Sequence, residues 1–305
     1  MAYDEFGLLH ENAEEWGLPF EAPAVRRESV ELAPGRQLSA LVWGAEPPEL
    51  VLLHGGGQNA HTWDTVALAL GRPLVAVDLP GHGHSDAIVD VPFSPIAFAA
   101  EVEIAVRALA PGALAVVGMS LGGLTSIALS GRAPDLVRKL VLVDVLPSVD
   151  ANKAAPIAEF LNGPESFASF DEILERTIRY NPTRSEASLR RGVLHNSIER
   201  ADGTWVWRHQ RHWPAGDDTL RAAGAEELIA NTAARYDALW ADLAGLRVPI
   251  MLVRGLADGT IIDDDAVVHL LDVQDNARVE GVEGAGHSVQ GDQPIRLAQL
   301  VADFL

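Results

Sequence analysis

Residues 118 to 123 read Gly118-Met119-Ser120-Leu121-Gly122-Gly123. This stretch matches the G-x-S-x-G pattern, in which a serine lies at the tip of a sharp turn between a strand and a helix. The apolar run from Ala113 to Val117 precedes the turn, and a helical pattern from Leu121 to Arg132 follows it. An ordinary glycine-rich turn is the alternative, but the strand before the turn and the helix after it favour a nucleophilic Ser120. The dipole at the N-terminus of this helix would also stabilise a developing oxyanion.

Short apolar runs that end in turn residues recur on both sides of this motif. They are Val51–Leu53, Leu74–Asp78, Leu140–Asp144, Pro249–Val253 and Arg278–Val282. Such continuous apolar runs, alternating with helical segments, predict an α/β fold with a parallel sheet covered on both faces. Two further segments, Val25–Leu32 and Gln37–Trp43, are joined through Pro34-Gly35-Arg36 and predict an antiparallel hairpin at the sheet edge.

The pattern changes between about Ser148 and Leu246. This region shows no convincing strand pair, but amphipathic stretches such as Phe170–Tyr180 and Ala225–Leu243 indicate helices. We therefore predict a core of residues 1–147 and 247–305, with residues 148–246 forming a helical cap rather than an independent domain.

A nucleophilic serine needs a base that removes its proton. The segment Gly284-Ala285-Gly286-His287-Ser288 follows the last predicted strand and supplies His287. A histidine in such a loop is otherwise a surface residue, but here it completes a chain order of serine, acid and histidine. We predict that His287 takes the Ser120 proton and returns it to the leaving group.

Four motifs in family order now identify a resemblance that covers nearly the whole chain. They are His54–Gly57, Asp78–Ser85, Gly118–Gly123 and Gly286-His287. The chain resembles capped α/β-hydrolase-fold enzymes. That resemblance implies a mostly parallel eight-stranded sheet flanked by helices, with the cap inserted after strand six.

The resemblance also implies a carboxylate that orients the histidine. In the family this acid usually follows the strand before the histidine, and Gly255-Leu256-Ala257-Asp258 places Asp258 there. Some relatives carry the acid after the sixth strand, where this chain has Asp144. Chain order favours Asp258, and Asp144 remains the alternative.

By the same resemblance, backbone N–H groups of Gly56 and Leu121 form the oxyanion hole. His54 holds the loop in this interpretation. His61 and Trp63 follow the loop and are candidates for the substrate pocket, with a wet surface position as the alternative.

The expected activity is that of a cofactor-independent serine hydrolase. It would cleave an ester or related acyl bond of a small to medium, largely apolar substrate through an acyl-enzyme. Hydrolysis of a C–C bond in a diketone-like substrate uses the same triad, and the three glycines after His54 resemble those enzymes. A hydrolase-fold protein that binds a ligand with little turnover is the alternative from another class, and turnover of short-chain esters distinguishes the two.

The composition excludes several other functions. With 23 Lys plus Arg against 43 Asp plus Glu, the net charge is −20, which disfavours nucleic acid and anionic membranes as partners. The absence of cysteine removes thiolate chemistry. No metal is expected, because the pairs His82/His84 and His209/His212 have no acid suitably placed beside them. We expect a cytoplasmic protein with a small-molecule substrate and no cofactor.

Overall fold

The computed structural model describes residues 3–88, 93–148, 151–210 and 238–305. The strands are β1 (Val25–Ala33), β2 (Arg36–Trp43), β3 (Leu50–Leu53), β4 (Leu74–Val77), β5 (Ala115–Met119), β6 (Leu140–Val143), β7 (Ser197–Glu199), β8 (Trp205–Trp207), β9 (Ile250–Gly255) and β10 (Ala277–Val282). Eight of them form one sheet in the order β1-β2-β4-β3-β5-β6-β9-β10.

The sheet is parallel except at one edge. Strands β1 and β2 form the predicted antiparallel hairpin, and β2 also runs antiparallel to β4. Every other pair is parallel, as the continuous apolar runs indicated. The predicted α/β fold with a mostly parallel eight-stranded sheet is confirmed.

Helices cover both faces of this sheet. They are α1 (Leu9–Glu15), α2 (Asp64–Leu70), α3 (Pro95–Leu109), α4 (Leu121–Arg132), α5 (Ala151–Leu161), α6 (Phe170–Tyr180), α7 (Glu186–Asn196), α8 (Leu239–Gly245), α9 (Asp264–Val273), α10 (Val289–Asp292) and α11 (Pro294–Phe304). The strands bury side chains on both faces, in two separate apolar clusters. Phe98 of α3 and Ile127 of α4 belong to one cluster, and Trp63 and Leu297 belong to the other.

The chain leaves the sheet after β6 and returns at β9. Helices α6 and α7 have a small apolar cluster of their own, formed around Phe167, Ile173 and Val193. In α6 the Ser169 side chain accepts a hydrogen bond from the Glu172 backbone N–H, which caps the helix N-terminus. These two helices therefore share an apolar cluster that is separate from the two clusters beside the sheet, while polar side chains of α7 such as Arg191 contact α1.

One difference from the sequence prediction lies in this same region. Strands β7 and β8 form an antiparallel pair, whereas the sequence showed no convincing strand pair there. Each strand has only three residues, which is too short for a readable alternation. Most of the predicted helix Ala225–Leu243, up to position 237, lies outside the described residues. Its last residues, from Leu239, belong to α8. His212 also lies outside them. No helix in the described ranges is long and apolar enough to cross a membrane.

Candidate active site

Ser120 lies at the turn between β5 and α4, in the backbone conformation that the motif predicts. Its φ of 50° and ψ of −119° are strained for a residue with a side chain, at a typical cost of about 1–3 kcal/mol. Glycines make the turn sterically possible. A Cβ on Gly118 would overlap Ser126 of α4, and one on Gly122 would overlap the Leu53 carbonyl at the end of β3. The structure therefore holds Ser120 at the tip of a close strand–helix contact.

His287 lies in the loop between β10 and α10 and contacts a buried carboxylate. Its Nδ1 is 2.9 Å from Oδ2 of Asp144. The Asp144 side chain is fully buried, and the imidazole is 12% exposed. A carboxylate on Nδ1 holds the proton there and leaves Nε2 free to act as a base.

Asp144 directly follows β6 and is held by three further donors. Its Oδ1 accepts hydrogen bonds from the Gly255 N–H (3.1 Å) and the Thr260 hydroxyl (2.7 Å). Its Oδ2 accepts one from the Ile261 N–H (3.2 Å) in addition to His287. A φ of 47° at Asp144 turns the chain out of the strand at this point. Four donors around two oxygens fit an ionised carboxylate, which only accepts hydrogen bonds.

The predicted contact of Asp258 with His287 does not occur in the structure, and Asp144 takes that place. Asp258 is exposed, and in the described part of the chain no hydrogen bond joins its carboxylate to His287. Its backbone carbonyl, not its side chain, approaches Gly286, which lies beside the histidine. The physical reason is the path of the loop after β9, because its Thr260 hydroxyl and Ile261 N–H both donate to the Asp144 carboxylate.

The two predicted oxyanion donors lie on elements suited to that role. Leu121 is the first residue of α4, where backbone N–H groups have no partner within the helix. Gly56 lies in the turn after β3, and among the described residues its N–H donates no backbone hydrogen bond. The N-terminus of α4 adds a favourable dipole for an anion beside Ser120.

Three side chains fix the turn that carries Gly56. His54 accepts a hydrogen bond from the Leu79 N–H through Nε2 (2.9 Å), and its Nδ1 lies 2.7 Å from the Gly55 carbonyl. The Gly57 N–H donates to Nε2 of His82 (3.1 Å). The Gly55 N–H donates to Oε1 of Gln58 (3.1 Å). Burial lowers the pKa of His54, in keeping with a neutral ring that supports the loop.

The two predicted pocket residues take other places. Trp63 is completely buried in an apolar core cluster, so it does not reach a substrate. His61 does line a cavity, but none of Ser120, Asp144 and His287 lines the same one. The short 3-10 helix Ala60–Trp63 turns both side chains inward, which sequence spacing did not show.

His61 instead belongs to a buried ionic network that ties the N-terminal segment to the core. Its Nδ1 lies 2.9 Å from Asp64 and its Nε2 lies 3.1 Å from Glu5, which also binds Arg27. Burial by itself would lower the pKa of His61, but the charge of Asp64 and the hydrogen bonds to both acids raise it to about 9. Both ring nitrogens therefore face carboxylates, an arrangement that favours the protonated imidazole.

Within this network, His61, Asp64 and His195 form a cluster of the residue types that bind metal ions. The two imidazole rings are stacked, with centroids 3.8 Å apart and planes 8° from parallel. Parallel rings direct their nitrogen lone pairs side by side rather than toward one point. Their possible ligand atoms nevertheless lie within 4.8 Å of one another, and Oδ2 of Asp64 is 2.9 Å from Nδ1 of His61 and 3.9 Å from Nε2 of His195.

Comparisons with known proteins identify the family of this chain. A family model described as alpha/beta hydrolase fold matches residues 48–294. The chain belongs to this family. Esterase Rv0045c of Mycobacterium tuberculosis is 44% identical over 99% of this chain and 96% of its own. Its solved structure superimposes with a TM-score of 0.83 at 43% identity, covering 100% of this chain and 99% of that one. A pimeloyl-[acyl-carrier protein] methyl ester esterase of Pectobacterium carotovorum is 31% identical over 76% of this chain and 90% of its own.

Three residues near the candidate site of this α/β-hydrolase-fold chain were not predicted from the sequence. Leu161, the last residue of α5, lies over the turn that carries Gly56, since its Cδ1 is 3.7 Å from the Cβ position of Gly56. Gln58 accepts a hydrogen bond from the Gly55 N–H in that turn, and the Thr260 hydroxyl donates one to Asp144. Gln58 follows the glycine motif closely enough to have been noticed, whereas Leu161 carries no local signal.

Proposed function

We propose that this chain hydrolyses carboxylic esters through an acyl-enzyme on Ser120, with His287 as base and Asp144 as the orienting acid. The hydrogen bond of 2.9 Å between His287 and the buried Asp144 carries the proposal, because it sets the tautomer that a base needs. The similarity to a mycobacterial esterase over nearly the whole chain supports ester hydrolysis.

In the first half of the reaction, the Ser120 oxygen attacks the ester carbonyl carbon and His287 Nε2 takes the serine proton. The Gly56 and Leu121 N–H groups bind the oxyanion, and each such donor contributes about 3 kcal/mol in typical enzymes. Collapse of the intermediate breaks the bond to the alcohol oxygen, which receives the proton from His287. In the second half, His287 activates a water that hydrolyses the acyl-enzyme, and Ser120 is restored.

Apolar side chains around the oxyanion turn support a small to medium, largely apolar acyl group. Leu161 and Leu121 both lie close to the Cβ position of Gly56, at 3.7 and 3.8 Å. The Pectobacterium relative is a methyl ester esterase by name, which supports a small alcohol as the leaving group. The net charge of −20 supports a small-molecule substrate rather than a nucleic acid.

The test combines covalent labelling with turnover. A fluorophosphonate should add one adduct to the chain, detected by intact mass, and none to Ser120→Ala. Ser166→Ala, at an exposed serine of the cap region, is the matched control and should label like the unmodified chain. Multiple turnovers of p-nitrophenyl butyrate should accompany labelling.

Two outcomes contradict the proposal. An intact, folded chain that forms no adduct has no activated serine. A chain that labels but releases only one equivalent of p-nitrophenol is a ligand-binding protein of the same fold.

A further inference from the structure

The peptide unit that joins Ala285 to Gly286, just before His287, is held by hydrogen bonds on both of its sides. Its carbonyl accepts from the Ala257 N–H in the loop after β9 (2.9 Å). Its N–H donates to Oδ2 of Asp292 (2.9 Å). A planar peptide unit bonded at both polar groups cannot rotate without breaking one of these bonds. The direction in which the chain enters His287 is therefore fixed.

The next peptide unit, between Gly286 and His287, has no comparable support. Among the described residues, neither its carbonyl nor its N–H makes a backbone hydrogen bond. The imidazole is held at its far end, where Nδ1 contacts the Asp144 carboxylate. Between that contact and the fixed peptide unit, the position of the His287 side chain depends on the Gly286 anchor.

The Asp292 carboxylate uses both of its oxygens as acceptors. Besides the bond from Gly286, its Oδ1 accepts from the Thr183 hydroxyl (3.0 Å) in the loop between α6 and α7. Asp292 is only 8% exposed and is the last residue of α10, where its own N–H donates to the Ser288 carbonyl (2.9 Å). The short helix therefore turns this carboxylate back onto the loop that carries His287.

The charge of Asp292 must be separated from its hydrogen bonds. Burial lowers the pKa of Arg184, and the negative charge of Asp292 acts in the opposite direction. In the described part of the chain no salt bridge joins these two side chains, whereas the contact with the Gly286 N–H is direct and buried. Hydrogen bonding to the His287 loop is thus the closer of the two interactions.

We propose that Asp292 is a positioning residue for His287 and acts through the Gly286 N–H. The inference rests on the proposed function in one respect, since His287 must serve as the base for Ser120. Without the carboxylate, the buried Gly286 N–H would lack an acceptor, and the peptide unit would turn to find another one. A catalytic group displaced by about 1 Å loses about 100-fold in rate in typical enzymes.

Two substitutions at Asp292 test this role. Asparagine keeps an oxygen for the Gly286 N–H, and its amide N–H can donate to the Thr183 hydroxyl, whereas alanine removes both contacts. For p-nitrophenyl butyrate, kcat of Asp292→Ala should fall at least about 10-fold while KM stays within about twofold. For Asp292→Asn, kcat should stay within about threefold of the unmodified chain. Rates are expressed per chain that a fluorophosphonate labels, so unfolded protein is not counted. If Asp292→Ala does not fold, Asp292→Ser, which is too short to bridge both partners, takes its place.

Two control variants separate positioning from stability and from the α6–α7 contact. Val301→Ala destabilises the apolar cluster under α11 without touching the loop, and its kcat should stay within about twofold. Thr183→Val removes the other partner of the carboxylate and should lower kcat by at most about threefold. An unchanged kcat in Asp292→Ala would overturn the inference. Equal losses in Asp292→Asn and Asp292→Ala would assign the effect to charge, and an equal loss in Val301→Ala would assign it to stability; either result would overturn it as well.

The rate constant of fluorophosphonate labelling is a second readout that needs no ester turnover. It depends on activation of Ser120 by His287, so Asp292→Ala should label at least about 10-fold more slowly than Asp292→Asn. A chain that shows this difference but does not turn over esters would contradict the proposed function and support the role of Asp292. A chain that turns over esters but shows equal labelling rates for the two variants would support the proposed function and overturn the role of Asp292.

Discussion

Replacing Asp144 with asparagine tests the central geometric result. The carboxylate receives two donors on each oxygen, and an amide can offer only one oxygen. If the amide nitrogen takes the Oδ2 position, the Ile261 N–H loses its acceptor. His287 must then accept through Nδ1, which moves its proton to Nε2 and removes the base. If the nitrogen takes the Oδ1 position, the Gly255 N–H loses its acceptor, although the Thr260 hydroxyl can rotate and accept.

Both orientations lower activity, for different reasons. The first produces the wrong tautomer, which costs about 10⁴-fold in serine proteases with the same triad. The second keeps the tautomer but loses the negative charge that stabilises the imidazolium. We expect kcat for p-nitrophenyl butyrate to fall about 10³-fold, or about 4 kcal/mol. The unpaired backbone donor should also lower the free energy of unfolding by about 1–3 kcal/mol.

Asp258→Asn is the matched control, because Asp258 is exposed and is the acid that chain order favoured in the sequence analysis. Its kcat should stay within about twofold of the unmodified chain. Circular dichroism and urea unfolding establish that both variants are folded before rates are compared. If Asp258→Asn lost 100-fold or more while Asp144→Asn kept a third of the activity, the assignment from the structure would be wrong.

Three further predictions concern strain, the acyl pocket and pH. Ser120→Gly and Ser120→Ala should both be inactive, but Ser120→Gly should be about 1 kcal/mol more stable by urea unfolding, because glycine adopts a positive φ without strain. Equal stability of the two variants would contradict backbone strain at this residue. Leu161→Ala should open space beside Gly56 and so favour longer acyl chains. The kcat/KM for p-nitrophenyl octanoate, divided by that for p-nitrophenyl acetate, should rise about 10-fold, and an unchanged ratio would show that Leu161 does not line the acyl pocket. The pKa of His61 is raised from 6.5 to about 9, so its contribution to folding is complete below pH 6.5 and is lost as pH rises through 9. Unfolding free energy should therefore drop between those values by at most about 3 kcal/mol, and His61→Gln should flatten the drop.

The sequence was sufficient for Ser120 and His287 because each carries a local signal. The serine needs small residues on both sides, and the glycines at 118, 122 and 123 are visible in the sequence. The sheet was predictable for a similar reason, since strands covered on both faces are continuous apolar runs.

The acid was not predictable in the same way. Asp144 and Asp258 both lie at or shortly after the end of an apolar strand, so their local sequences are similar. The difference lies in the Gly255 N–H at the end of β9 and the Ile261 N–H in the loop that follows, which both donate to Asp144 across more than one hundred residues of sequence. Such contacts depend on the path of the backbone, which no pattern of residue types records. Trp63 was misplaced for a related reason, because one turn of 3-10 helix decides whether it faces the core.

The register of two neighbouring strands explains why the strain is located where it is. Met119 of β5 pairs with Val143 of β6, so Ser120 and Asp144 leave the sheet at the same level although they are 24 positions apart in the sequence. These two are the non-glycine residues with positive φ in the described ranges. Each follows its strand directly, and each turns its side chain away from the direction that a continued strand would give it. The sheet therefore fixes the positions of Ser120 and Asp144, and the apolar packing beneath them offsets a conformational cost of about 1–3 kcal/mol at each residue. A substitution that relaxes either turn should increase stability and decrease activity together.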